Sequence, residues 1–150
     1  MSDFFQFEMD FASSLRCIPM QVRYKLDLCG IKLKLPQWSQ FSSGDRQKLL
    51  SLPCQTSEQV QTYRKTLQEL VKKTTGEMAT DLTVESAPDW ENDFKIPDSV
   101  SEKSREAGFP LTVKRWTKLT RIQRFALIKL SRSSHENRNF VPALEEFHLI

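Results

Sequence analysis

The chain is poor in the residues that mark special architectures. Four glycines in 150 residues exclude a collagenous or glycine-rich low-complexity protein, and ten Phe, two Tyr and three Trp are spread along the sequence instead. No apolar run approaches the ~18–20 residues that a membrane-spanning helix needs. Only two histidines are present, His135 and His148, thirteen residues apart, and they do not have the spacing of a metal site. Three cysteines, an odd number, include no C-x-x-C pair, so zinc or iron–sulfur ligation is not expected. Cys17 and Cys29 flank one predicted helix, roughly 18 Å apart, too far for a disulfide. Met1-Ser2-Asp3 offers no basic segment before an apolar core, so no secretory signal is expected. Reduced thiols in a cytoplasmic protein are expected, with neither metal nor cofactor.

What remains is an ordinary globular composition: 39% apolar, 27% charged, mean hydropathy −0.48. A chain of this length buries about two-thirds of its unfolded surface and folds without staples. The net charge of +3 conceals segregation. Lys114, Arg115, Lys118, Arg121, Arg124, Lys129 and Arg132 give residues 110–132 a local +7 with no acid. Residues 81–98 carry six acids against Lys95. Such blocks form either solvated helix faces or a patch for an acidic partner or nucleic acid. A pI near 8.8 is low for a dedicated nucleic-acid binder.

The chain also resembles itself. At an offset of 78, residues 18–52 align without gaps on 96–130. Identities are Ile18/Ile96, Pro19/Pro97, Val22/Val100, Lys25/Lys103, Gly30/Gly108, Leu33/Leu111, Trp38/Trp116, Arg46/Arg124, Leu49/Leu127 and Leu52/Leu130. Composition would give roughly two. Each copy reads as a helix opened by proline and closed by glycine, an extended pair, a short Trp-bearing helix, and a longer helix capped by Ser42 or Thr120. Thr120 with Gln123, and Thr56 with Gln59, form capping-box patterns. Val60, Tyr63, Leu67, Leu70 and Val71 define an amphipathic helix ending at Gly76. Pro142 predicts a helix start near itself, after a turn at 134–139. Residues 77–95 read as an acidic linker. Phe5, Phe7, Met9 and Phe11 alternate like a strand, which allows a short two-stranded edge with Leu82–Glu85. Phe4, Phe7, Phe11 and Leu15 fit a helix equally well.

The predicted fold is therefore all-α. Two pseudo-symmetric helical repeats, about 18–74 and 96–148, are expected to pack as one domain. Trp38, Trp116, Arg46, Arg124, Leu49 and Leu127 are expected to form the shared structural core, the arginines stacking on tryptophan or binding carbonyls at a helix end.

Three runs carry a specific resemblance: Ser14–Asp27 (SLRCIPMQVRYKLD), Cys29–Trp38 (CGIKLKLPQW) and Leu119–Phe140, which includes LTRIQRFALIKLSR and SHENRNF. They resemble the nitrate reductase-associated protein family of cyanobacteria, over about residues 4–147. The resemblance implies a small cytoplasmic accessory protein, not an enzyme, needed for active molybdenum-containing nitrate reductase. Its implied partner is nitrate reductase or a molybdenum-cofactor assembly protein.

The residues themselves show no Ser/His/Asp arrangement, glycine-rich phosphate loop or paired carboxylates. What copy two has and copy one lacks is the dense basic helix and the polar run 131–139. Lys118, Arg121, Arg132, His135, Asn137 and Arg138 are therefore the expected partner contacts, unless the run is only a solvated loop. The competing reading is a helical nucleic-acid-binding regulator using residues 113–132.

Overall fold

The computed structural model describes residues 4–12, 14–132 and 137–150. The chain divides into two compact units, Met1–Val84 and Glu85–Ile150. In both, nearly all of the regular secondary structure is helical.

The first unit opens with a 3-10 turn, Gln6–Glu8, that runs into helix α1 (Met9–Ala12). The N-terminal segment is therefore helical, and the alternating aromatics do not form a strand. Glu8 supplies the reason: it is buried, and both its carboxylate oxygens lie within 3.4 Å of the Met20 amide. That amide opens helix α2 (Met20–Cys29), whose N-cap is Pro19 and makes no side-chain cap of its own. A carboxylate at a helix N-terminus satisfies an orphan donor and complements the helix dipole.

Strand β1 (Ile31–Lys32) follows, then helices α3 (Leu35–Ser39), α4 (Ser43–Ser51) and α5 (Ser57–Thr75), and strand β2 (Thr80–Asp81). The two-stranded edge exists, but β1 pairs with β2, antiparallel, with Ile31 opposite Asp81. Arg64 on α5 fastens this corner. Its guanidinium donates to the carbonyls of Cys29 and Gly30, both at 2.9 Å, and to the Asp81 carboxylate. Gln68 adds a buried two-way bond to the Ala79 backbone, 3.1 Å to its carbonyl and 2.8 Å from its amide. The core behind these ties holds Val22, Leu26, Ile31, Trp38, Phe41, Leu49, Tyr63, Leu67 and Val71.

The second unit contains a 3-10 turn (Asp89–Glu91), helices α6 (Asp98–Glu106), α7 (Val113–Thr117) and α8 (Arg121–Arg132), a second 3-10 turn (Asn137–Asn139) and helix α9 (Phe140–Glu146). Its buried side chains include Trp90, Val100, Trp116, Phe125, Leu127, Leu130, Phe140 and Leu144. Helices α2, α3 and α4 begin at 20, 35 and 43, and α6, α7 and α8 at 98, 113 and 121, a constant offset of 78. Two details add to the sequence reading. Phe109–Leu111 pairs with no strand among the described residues, since Pro110 has no N–H to give a ladder. Helix α9 begins two residues before Pro142, whose missing N–H falls in the first turn where no intrahelical acceptor exists.

Trp38 and Trp116 are both fully buried. The Trp38 indole donates to the Leu15 carbonyl at 2.8 Å. Arg46 donates to the same carbonyl at 3.3 Å, to Trp38 O at 3.2 Å and to Ser39 O at 2.8 Å. Leu15 itself is held in the left-handed region at φ 62°. In the second unit the Trp116 indole donates to Asn92 O at 2.9 Å, and Arg124 to Trp90 O at 2.7 Å and to Leu119 O. Both arginines bind carbonyls, two of them at the end of the Trp-bearing helix in the case of Arg46. Trp90 lies in the acidic stretch read as a linker, and it is buried edge-on against Phe125, 6.5 Å between ring centres.

Gly30 and Gly108 both close their helices at positive φ, 75° and 86°. Their surroundings differ. A Cβ at Gly30 would lie 2.7 Å from Val84 Cγ2 and 2.9 Å from the Leu82 carbonyl, whereas nothing lies within 4 Å at Gly108. Gly108→Ala should cost about 1 kcal/mol, the left-handed penalty alone. Gly30→Ala should cost about 2–3 kcal/mol, because backbone must also move. Urea unfolding of the two variants measures the difference, and equal losses would contradict it.

Candidate functional site

The basic stretch owes its shape to two caps. Thr112 Oγ1 accepts from the Arg115 amide to start α7. Thr120 and Gln123 exchange bonds at 3.2 and 2.9 Å to start α8. The α8 sequence then buries Arg124, Phe125, Ala126, Leu127, Ile128 and Leu130.

The structure sorts the seven cations of 110–132 into two groups. Four are engaged within the second unit. Arg124 is buried and spends its donors on carbonyls. Arg115 donates to the Leu149 carbonyl. Lys129 Nζ sits 5.3 Å from the centre of the Phe125 ring. Arg132 pairs with Asp89 at 3.1 Å, both half exposed. Lys114, Lys118 and Arg121 are exposed and form no ion pair among the described residues.

The six expected contacts fall at two places. Lys118 caps the end of α7 and Arg121 opens α8. Arg132 closes α8, about 16 Å further along at 1.5 Å per residue. Arg138 is exposed in the following 3-10 turn, and Asn137 opens that turn. His135, with Ser133 and Ser134, lies outside the described residues. His148 is exposed near the C-terminus.

Next to Arg132 is an open cleft of about 290 Å³ lined by Asp89, Asn92, Lys95, Pro97, Asp98, Ser99 and Arg132. Two carboxylates face two cations there. Among the described residues no three His, Cys, Asp or Glu side chains converge as a metal site would require. Sequence reasoning missed Asp89 and Asn92, which act on partners over thirty positions away or through main-chain atoms. Trp90 and Phe94, two aromatics in an otherwise acidic run, were the available signal.

The remaining reactive groups lie in the first unit, where Cys29 and Cys54 are buried beside Tyr63. Burial pushes the Cys29 thiol up to about 12, with Cys54 adding to the rise. Burial pushes Cys54 up to about 11, against the pull of Lys25. Tyr63 is raised by the same desolvation and donates to Leu49 O at 2.8 Å. These are protonated, structural groups.

A family model matches residues 4–147. The chain belongs to the conserved nitrate reductase-associated protein family. No curated protein and no solved structure shows significant similarity to it. No helix among the described residues is long and apolar enough to cross a membrane.

The thiols yield a test. Below about pH 8.5 they are protonated in folded and unfolded chains alike. Above it the unfolded thiols ionise while the buried ones do not, so the unfolded state binds fewer protons and stability falls as pH rises towards 11–12. The slope is up to about 1.4 kcal/mol per pH unit for each thiol. Urea unfolding between pH 8 and 10.5 should show a steeper alkaline loss in the wild type than in Cys29→Ala/Cys54→Ala. Parallel curves would contradict burial of the two thiols.

Proposed function

We propose that this protein is a non-catalytic accessory factor that binds nitrate reductase, or a molybdenum-cofactor assembly protein serving it, in the cytoplasm. Membership of the family over nearly the whole chain carries this reading. The docking surface is the basic face of the second unit: Lys118 and Arg121 at one end of α8, and Arg132, His135, Asn137 and Arg138 at and beyond the other. Two clusters about 16 Å apart fit within one standard protein interface of about 800 Å² per partner. The nucleic-acid reading has less support, because residues 124–128 of α8 are buried without a break and cannot lie in a groove.

Arg132 is the weakest of these contacts, since Asp89 already holds it. The sharper test reverses Lys118, Arg121 and Arg138 to Glu together. All three are exposed, so the melting temperature should stay within about 2 °C of wild type. In cells lacking the wild-type protein, the variant should fail to support nitrate reductase activity. Full activity from a folded variant would place the docking surface elsewhere.

A further inference from the structure

Phe94 is 81% exposed, the most exposed large apolar side chain among the described residues. It is not on a loose loop. The Trp116 indole holds the Asn92 carbonyl at 2.9 Å, and the Thr117 hydroxyl donates to the Asp93 carbonyl at 2.7 Å. The Phe94 amide closes the turn on Asn92 Oδ1 at 2.9 Å. Three hydrogen bonds thus pin the backbone at 92–94, leading into an aromatic ring left in water. With the backbone already fixed, only the side-chain part of the ordering cost remains when a partner arrives.

Three exposed cations lie on the helices that hold this turn, beside the acids Asp89, Glu91 and Asp93 of the segment itself. Thr117 lies one turn from Lys114 and next to Lys118 on α7, with Arg121 at the start of α8. These are the three cations of residues 110–132 that have no acid partner among the described residues. We propose that Phe94 is the apolar anchor of the docking surface, inserting into an apolar pocket on an acidic face of nitrate reductase while Lys114, Lys118 and Arg121 meet the surrounding carboxylates. The inference rests on the association with nitrate reductase proposed above. Aromatic anchors ringed by polar contacts carry most of the energy of such interfaces. Nucleic acid has less support, because residues 124–128 of α8 are buried without a break.

The test is the affinity of the full chain for purified nitrate reductase, measured at low and high salt for wild type, Phe94→Ala and Phe94→Leu. The ring is exposed, so all three should melt alike. Phe94→Ala should bind about tenfold or more weakly, chiefly through faster dissociation, while Phe94→Leu stays within about threefold. The salt dependence should be the same in all three, since no charge has changed. If Phe94→Ala binds as wild type while the Lys118/Arg121/Arg138 reversal does not bind, the anchor is refuted and the accessory function stands. If the wild type does not bind the reductase, the function falls and the anchor with it. Binding of a random single-stranded oligonucleotide, or self-association in ultracentrifugation, that Phe94→Ala alone abolishes would overturn the proposal in favour of that occupant.

Discussion

Each unit depends on tryptophan and arginine donors aimed at carbonyls of chain outside its α-helices and strands. A buried carbonyl without a partner costs about 1–3 kcal/mol, so an irregular segment can enter a core only if donors meet it there. In the first unit Trp38 and Arg46 converge on Leu15 O. In the second, Trp116 takes Asn92 O and Arg124 takes Trp90 O. Tryptophan and arginine suit the task because each combines a large apolar or planar body with a donor that cannot be deprotonated near neutral pH. The same ties tolerate Leu15 in the left-handed region, where an L-residue is strained by about 1–2 kcal/mol.

This constraint shapes the outer surface as well. Fixing 90–92 against α7 and α8 buries Trp90, leaves Asp89 near Arg132, and turns Phe94 outward. It also removes Arg124 from the surface, so a stretch that carries +7 in sequence presents far less as free charge. What remains of that stretch is a small, defined set of exposed cations, Lys114, Lys118 and Arg121. An interface of that kind draws its specificity from placement, and its association rate from charge.

Features encoded locally were legible from residue order. Thr56 with Gln59 and Thr120 with Gln123 announce helix starts within four residues, and the Tyr63–Leu67–Val71 spacing gives the face of α5. Features encoded at a distance were not. Glu8 caps a helix twelve residues on, and no local pattern marks it out from a solvated acid. Arg115 finds its acceptor 34 positions away, and Arg132 its acid 43 away. Charge counting therefore overstated the free basic surface. The acidic stretch hid Trp90 and Phe94 because a 3-10 turn has no long period for apolar residues to follow.

The most direct test of this account is amide hydrogen exchange, read by mass spectrometry, on Trp116→Phe. The substitution keeps an aromatic ring in the core and removes only the indole donor to Asn92 O, with some volume. The account predicts that the peptide spanning 88–95 exchanges about tenfold faster or more than in wild type, while α9 keeps its protection. Unchanged exchange at 88–95, or an equal acceleration throughout the second unit, would contradict the claim that the indole bond is a principal tie of this segment.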